Sequence, residues 1–242
     1  FLSIGTMQAQ NKLYTLEDLN YGGTNFRKLQ PKNLWLTWWG DRLMFQDIDK
    51  GGMLDKNGKR TTVFHLKDLG EGWRTAYSAQ YPYAGETLVL PKNNKQRVLY
   101  DWEKKHVAWQ QSCEGETHAD WNKQSRAVAY VKNDQLYVRD ADNQERQLTT
   151  DGSRDIVYGQ SVHRNEFGIT KGMFWSPDGM QLAFYRMDQS MVTDYPQVDI
   201  FAREAEYQPD KYPMAGEKSH IVTVGIYHLK TGKVVYLDTG DP

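Results

Sequence analysis

The sequence predicts an all-β fold and, within that class, a partial β-propeller made of consecutive four-stranded antiparallel blades. Three observations carry this prediction. Short strand-like runs recur along the chain, each bounded by turn residues. Aromatic side chains make up 13% of the 242 residues, with 8 Trp and 15 Tyr, and such residues pack well on a pleated, half-buried surface. A Trp–turn–strand unit also occurs twice. Trp121-Asn122-Lys123-Gln124-Ser125 leads into RAVAYVKNDQLYV, and Trp175-Ser176-Pro177-Asp178-Gly179 leads into MQLAFYRM. Units of this kind repeating at about forty to sixty residues read as propeller blades, which favours a propeller over a sandwich.

Taken in order, the first ten residues, FLSIGTMQAQ, are apolar and then small and uncharged. They read as the remnant of a secretory signal peptide or, failing that, as a disordered tail, with Ala9 at a suitable cleavage position and Met7 larger than the residue expected two before it. Residues 11–30 form a lead-in, where 15–19 carry the one helical pattern. Residues 31–242 are strand territory. LWLTWW (34–39) turns at Gly40-Asp41 into RLMFQDI (42–48), and KRTTVFHL (59–66) follows. ETLVL (86–90), QRVLYDW (96–102) and HVAWQQS (106–112) come next. RAVAYVK (126–132) and QLYVRDA (135–141) form a hairpin through Asn133-Asp134, two residues that tolerate left-handed dihedrals. QERQLT (144–149) adds a third strand. In WSPDG the proline presets a type I turn and the glycine closes it, launching MQLAFYRM (180–187). HIVTVGIYHL (220–229) and KVVYLD (233–238) are joined by Lys230-Thr231-Gly232.

Bulk properties exclude several functions. With 30 basic and 31 acidic residues the net charge is -1, so there is no electrostatic case for nucleic acid or an anionic membrane. No run of 18 apolar residues exists to form a spanning helix. The single cysteine, Cys113, permits neither an internal disulfide nor a thiolate zinc cluster, and reads as a small buried hydrophobe. Gly159-Gln160-Ser161-Val162-His163 lacks the second glycine and the following helix of a nucleophile elbow. His65, His106, His118, His163, His220 and His228 show no metal-ligand spacing. Asp140-Ala141-Asp142-Asn143 lacks the central glycine and terminal glutamate of a calcium loop and reads as a polar turn. No cofactor is implied.

The stretch 155–188, DIVYGQSVHRNEFGITKGMFWSPDGMQLAFYRMD, is the most informative. It places one glutamate, Glu166, in an irregular polar insertion between a strand-like IVY and an aromatic strand. Loops on rigid sheets are where binding groups usually sit, although a solvated loop glutamate needs no function.

These residues resemble a known family. IVYGQSVHRNEFGITKGMFWSPDGMQLAFYRMDQSMVTDYPQVD is similar to the N-terminal propeller of the dipeptidyl peptidase IV family. KLYTLEDLNYGG and PKNLWLTWWGD resemble the start of that propeller, and YPMAGEKSHIVTVGIYHLKTGK resembles a later strand region. The likeness runs from Lys12 to the C-terminus and is greatest to the bacterial prolyl tripeptidyl peptidase branch. It implies an eight-bladed propeller followed by an α/β-hydrolase domain that carries a Ser-Asp-His triad. On that reading this sequence is an incomplete propeller without the triad, inactive alone. The parent is then a serine exopeptidase, periplasmic or secreted and homodimeric, releasing proline-ending di- or tripeptides from peptide N-termini. The implied partners are a small peptide with a free N-terminus and the hydrolase domain of the same polypeptide.

The resemblance also gives Glu166 a role, because family glutamates on a propeller segment bind the free amino group of the peptide. An ammonium offers three donors to a carboxylate, so a carboxylate at a fixed distance from the nucleophile counts residues from the N-terminus. Dipeptidyl members carry adjacent glutamates there. Here Asn165 and Phe167 flank Glu166, and with the extra residues in QSVHRNEFG this fits the tripeptidyl branch. The family's carbonyl-holding arginine corresponds to residues 92–97, where no arginine aligns cleanly, so that role is unassigned. The alternatives are a non-enzymatic periplasmic propeller that binds or scaffolds, and a regulatory fragment; a downstream G-x-S-x-G separates the enzyme reading from both.

Overall fold

The computed structural model describes residues 13–29, 35–73, 75–77, 79–81, 88–89 and 96–240. The segment 1–10 and the stretch 92–95 lie outside the described residues. The lead-in holds two short helices. Thr15 caps α1 (Leu16–Leu19) through a reciprocal pair: its hydroxyl accepts the Asp18 N–H at 3.2 Å, and the Asp18 carboxylate accepts the Thr15 N–H at 3.1 Å. A second helix, α2 (Thr24–Leu29), was not signalled by the pattern.

Beyond the lead-in the described residues form antiparallel sheets in chain order, in agreement with an all-β class. The first sheet runs β1 (Trp35–Trp39), β2 (Arg42–Gln46), β3 (Lys50–Leu54) and β4 (Arg60–His65). β3 was not expected, because Gly51-Gly52 weakens a strand pattern. The glycines are there for close approach: a Cβ on Gly52 would stand 2.1 Å from the Thr61 carbonyl oxygen, and one on Gly51 2.6 Å from the Phe64 ring. The second sheet is β5 (Leu88–Val89), β6 (Gln96–Asp101) and β7 (His106–Ser112). The third is β8 (Thr117–Trp121), β9 (Val128–Lys132), β10 (Gln135–Arg139) and β11 (Glu145–Gln147). At the β9–β10 turn Asn133 and Asp134 take φ of 49° and 62°, the left-handed pair that matches hairpin twist.

The fourth sheet positions the site. β12 (Ile156–Tyr158) and β13 (Met173–Trp175) both pair with β14 (Gln181–Asp188). An insertion follows, in which β15 (Asp194–Tyr195), β16 (Val198–Asp199), β17 (Glu206–Tyr207) and β18 (Asp210–Lys211) make one ladder nested inside another. The chain then returns as β19 (Ile221–His228), paired along the whole of β14, and ends in β20 (Lys233–Tyr236).

Two apolar clusters and one polar junction hold these sheets together. Trp39, Met44, Phe64, Val98 and Tyr100 join the first sheet to the second. Leu136, Tyr158, Phe184 and Tyr227 join the third to the fourth. Between the second and third sheets lies an ion network. Glu116 takes Arg97 at 2.8 Å and Arg139 at 2.6 Å, while Arg97 also donates to Gln111 at 2.8 Å and Arg139 to Glu145 at 2.6 Å. Cys113, close by in sequence, is buried, as expected of a small hydrophobe.

The repeated Trp–turn unit is also a packing unit. In the second copy the Gly179 N–H donates to the Ser176 carbonyl at 2.8 Å, with φ of 70° at Gly179. In the first copy the Asn122 side-chain oxygen accepts the N–H groups of Gln124 and Ser125 at 2.8 and 2.9 Å. The two turns meet, because a Cβ on Gly179 would stand 2.4 Å from Asn122 Oδ1. The Trp175 indole N–H then donates to the Asp120 carbonyl at 3.0 Å, tying the fourth sheet to the third. Asp140 behaves as the polar turn expected of it, its carboxylate accepting the N–H groups of Asp142 and Gln144.

Candidate functional site

Glu166 lies in the segment His163–Gly168, which connects β12 to β13. Its backbone is unusual. His163, Arg164, Asn165 and Phe167 take φ of 50°, 52°, 63° and 56°, and Glu166 alone is extended at φ -71°, ψ 167°. Left-handed dihedrals cost an L-residue roughly 1–2 kcal/mol each, less for asparagine. A run of them persists only where the surroundings hold it. Local support comes from the Ile169 N–H on the Glu166 carbonyl at 3.0 Å, the Asn165 N–H on the Val162 carbonyl at 3.3 Å, and the Ser161 hydroxyl on Asn165 Oδ1. Distant support comes from the end of the insertion. Arg164 Nη1 pairs with Asp210 at 2.8 Å, and its guanidinium lies 5.0 Å from the centroid of the Tyr212 ring. The His163 ring stands 4.5 Å from that of His220.

The insertion is itself anchored to the body just before β12. Arg154 pairs with Asp194 at 2.7 Å and donates to the Pro209 carbonyl at 3.0 Å. Lys211 Nζ reaches Asp155 at 3.4 Å and Asp194 at 3.5 Å, and donates to the Val192 carbonyl at 2.9 Å. Loop and insertion therefore close on each other around a cleft of about 340 Å³, which Glu166, Met187, Val192, Tyr212 and His220 help to line.

The charges in this cleft are unevenly matched. Arg164 is committed to Asp210, and Lys211 to Asp155 and Asp194. Glu166 is exposed, and among the described residues its carboxylate takes no hydrogen bond or ion pair. It is thus the acid left open to an incoming cation. Burial, and then the neighbouring His163, holds the pKa of His220 below the ordinary 6.5, which favours its neutral form. Its Nε2 is buried and has no hydrogen-bond partner among the described residues. The cleft can therefore bind an ammonium at its carboxylate and apolar groups against Met187, Val192 and Tyr212.

Ser161 also borders the cleft but donates to Asn165, and the segment His163–Gly168 that follows it is kinked, with non-helical dihedrals, rather than the regular helix of a nucleophile elbow. Arg97, at the end of the segment considered for a carbonyl-binding arginine, is sealed into the ion network with its side chain 2% exposed. Sequence reasoning singled out Glu166 but not Arg164, Asp210, Tyr212 and His220, which the fold brings to the same cleft. The Arg164–Asp210 contact spans 46 residues and follows no local pattern.

Comparison with known proteins adds to this geometry. The family model described as the dipeptidyl peptidase IV (DPP IV) N-terminal region matches residues 58–242. A candidate dipeptidyl-aminopeptidase B of Phaeosphaeria nodorum is 29% identical over 198 residues, covering 73% of this chain and 20% of that protein. Its counterpart in Pyrenophora tritici-repentis is 32% identical over 224 residues, covering 82% and 23%. Among solved structures, a candidate dipeptidyl aminopeptidase IV from Bacteroides ovatus superposes with a TM-score of 0.79 at 40% identity, over 95% of this chain and 33% of that one. Porphyromonas gingivalis dipeptidyl peptidase 4 gives a TM-score of 0.69 at 20% identity, over 96% and 36%, which is a likeness of fold. The chain spans about a fifth of the length of these curated relatives and about a third of the solved chains.

Proposed function

The chain belongs to the dipeptidyl peptidase IV N-terminal family, and from that premise we propose that it is the substrate-anchoring region of a serine exopeptidase. The reaction is release of proline-ending di- or tripeptides from the N-termini of small peptides. The nucleophile belongs to an α/β-hydrolase domain of the same polypeptide. The four sheets are consecutive blades of an eight-bladed propeller that begins near residue 31 and limits access to small, open chains. The parent is periplasmic or secreted and works as a homodimer.

One observation carries this reading. Glu166 is a carboxylate without an ion-pair partner among the described residues, on a tightly held loop beside a cleft where Arg164 and Lys211 are already committed. A substrate ammonium would supply the missing charge and form a charge-assisted hydrogen bond, stronger than a neutral one. Holding that end fixes how many residues reach the nucleophile, which is positioning of the kind that lowers a barrier by preorganisation. Asn165 and Phe167 beside Glu166 favour a tripeptide ruler, whereas the names of the relatives favour a dipeptide one.

The test uses the full-length protein and peptides with proline at the second or third position, each with a free or an N-acetylated amine. Mass spectrometry of the products should show di- or tripeptides cut from free amines, with acetylated peptides poorly used. Equal cleavage of both sets, or cuts inside the chain, would overturn the proposal. Binding of free-amine peptides without any product would favour the non-enzymatic module instead.

A further inference from the structure

Among the described residues, the ion pair and ring contacts that reach the Glu166 loop from afar come from one stretch, the end of the insertion. Asp210 pairs with Arg164, Tyr212 lies against its guanidinium, and His220 stands against His163. The loop cannot keep its conformation on local preference, since His163, Arg164 and Phe167 are all left-handed without being glycine. Arg164 is also the cation nearest to Glu166 in sequence. Its guanidinium faces Asp210 and Tyr212, which leaves the carboxylate uncompensated.

We infer that Arg164 is a positioning residue for the amino-binding site: Asp210 and Tyr212 hold its guanidinium, and that hold sets the place of Glu166 and keeps its carboxylate open. The inference rests on the amino-anchoring role of Glu166 proposed above. It adds that the insertion 189–220 governs that role from outside the loop. Arg164 need not touch the substrate. Its two partners are themselves steadied by the Arg154–Asp194 and Lys211–Asp155 pairs at the base of the insertion.

The experiment is a double-mutant cycle in the full-length protein, with steady-state kinetics on free-amine prolyl peptides. Arg164→Ala and Asp210→Asn should each lower kcat/KM roughly 5- to 50-fold, as expected for a misplaced binding group, with most of the loss in KM. Both members of the pair are about half exposed, so the thermal midpoint should hardly move, as is usual for surface pairs. In a Glu166→Gln background the same substitutions should cost less than about twofold, because the group they position is already gone. Wild-type kinetics in Arg164→Ala beside a slow Glu166→Gln would overturn this inference alone. So would an equal loss in both backgrounds, which is the mark of a structural role. Wild-type kinetics in Glu166→Gln would overturn the anchoring role, and this inference with it.

Discussion

Glu116 offers the sharpest test of how the sheets are joined. Its carboxylate is 2% exposed and is shared by Arg97 at 2.8 Å and Arg139 at 2.6 Å. Glu116→Gln keeps the shape but removes the charge, and turns an amide N–H₂ toward one of the two guanidinium groups. Arg139 retains Glu145, Tyr130 and the Ser112 carbonyl, whereas Arg97 retains Gln111. Removing one partner of a buried ion pair costs about 3–5 kcal/mol, because a desolvated charge is left behind. For a domain of this size each kcal/mol moves the midpoint by about 2–4 °C, so the expected drop is roughly 6–20 °C. Calorimetry at pH 7, with urea unfolding alongside, measures it. Removing both ends, as Arg97→Met with Glu116→Leu, should cost less than Glu116→Gln alone, since the stranded charge goes too. A Glu116→Gln protein within about 1 kcal/mol of wild type would refute the reasoning and reduce the network to ordinary surface pairs.

Two further predictions follow from single contacts. His220 should titrate below 6.5, read from its imidazole proton shifts by NMR, because burial and His163 disfavour its charged form. With the folded pKa below the unfolded one, the contribution of the neutral ring is complete above pH 6.5 and is lost as pH falls through the folded value; titration at or above 6.5 would contradict this. Gly225→Ala should destabilise by roughly 1–3 kcal/mol in urea unfolding, since its Cβ would stand 2.4 Å from the fully buried Phe184 ring. A neutral effect would show that the β14–β19 ladder has slack there.

Strands with aromatic and β-branched runs and clear turns were legible in the sequence, and β9–β10 with its Asn133-Asp134 turn is the clearest case. What was missed has physical causes. In β3 the two glycines suppress the strand pattern for the sake of contacts with Phe64 and Thr61, which lie on a different strand. β8 is interrupted by a register shift between Thr117 and Asp120, so its alternation is broken. The four strands of the insertion are two residues each, too short for any periodicity. Glu166 stood out because it interrupts an otherwise strand-like block. The left-handed run around it could not be read from residues such as His163, Arg164 and Phe167, which do not favour it. That conformation depends on Asp210, Tyr212 and His220, so its signal lies in tertiary contacts rather than in local sequence.

The central claim is that Glu166 receives the substrate ammonium, and kcat/KM of Glu166→Gln in the full-length protein tests it most directly. A hydrogen bond to a charged group is worth about 1.5–3 kcal/mol, so the account predicts a roughly ten- to hundredfold loss on free-amine prolyl peptides. Thermal unfolding should be unchanged, because the carboxylate has no partner among the described residues to lose. A Glu166→Gln enzyme that matches wild type on free-amine peptides would contradict the account.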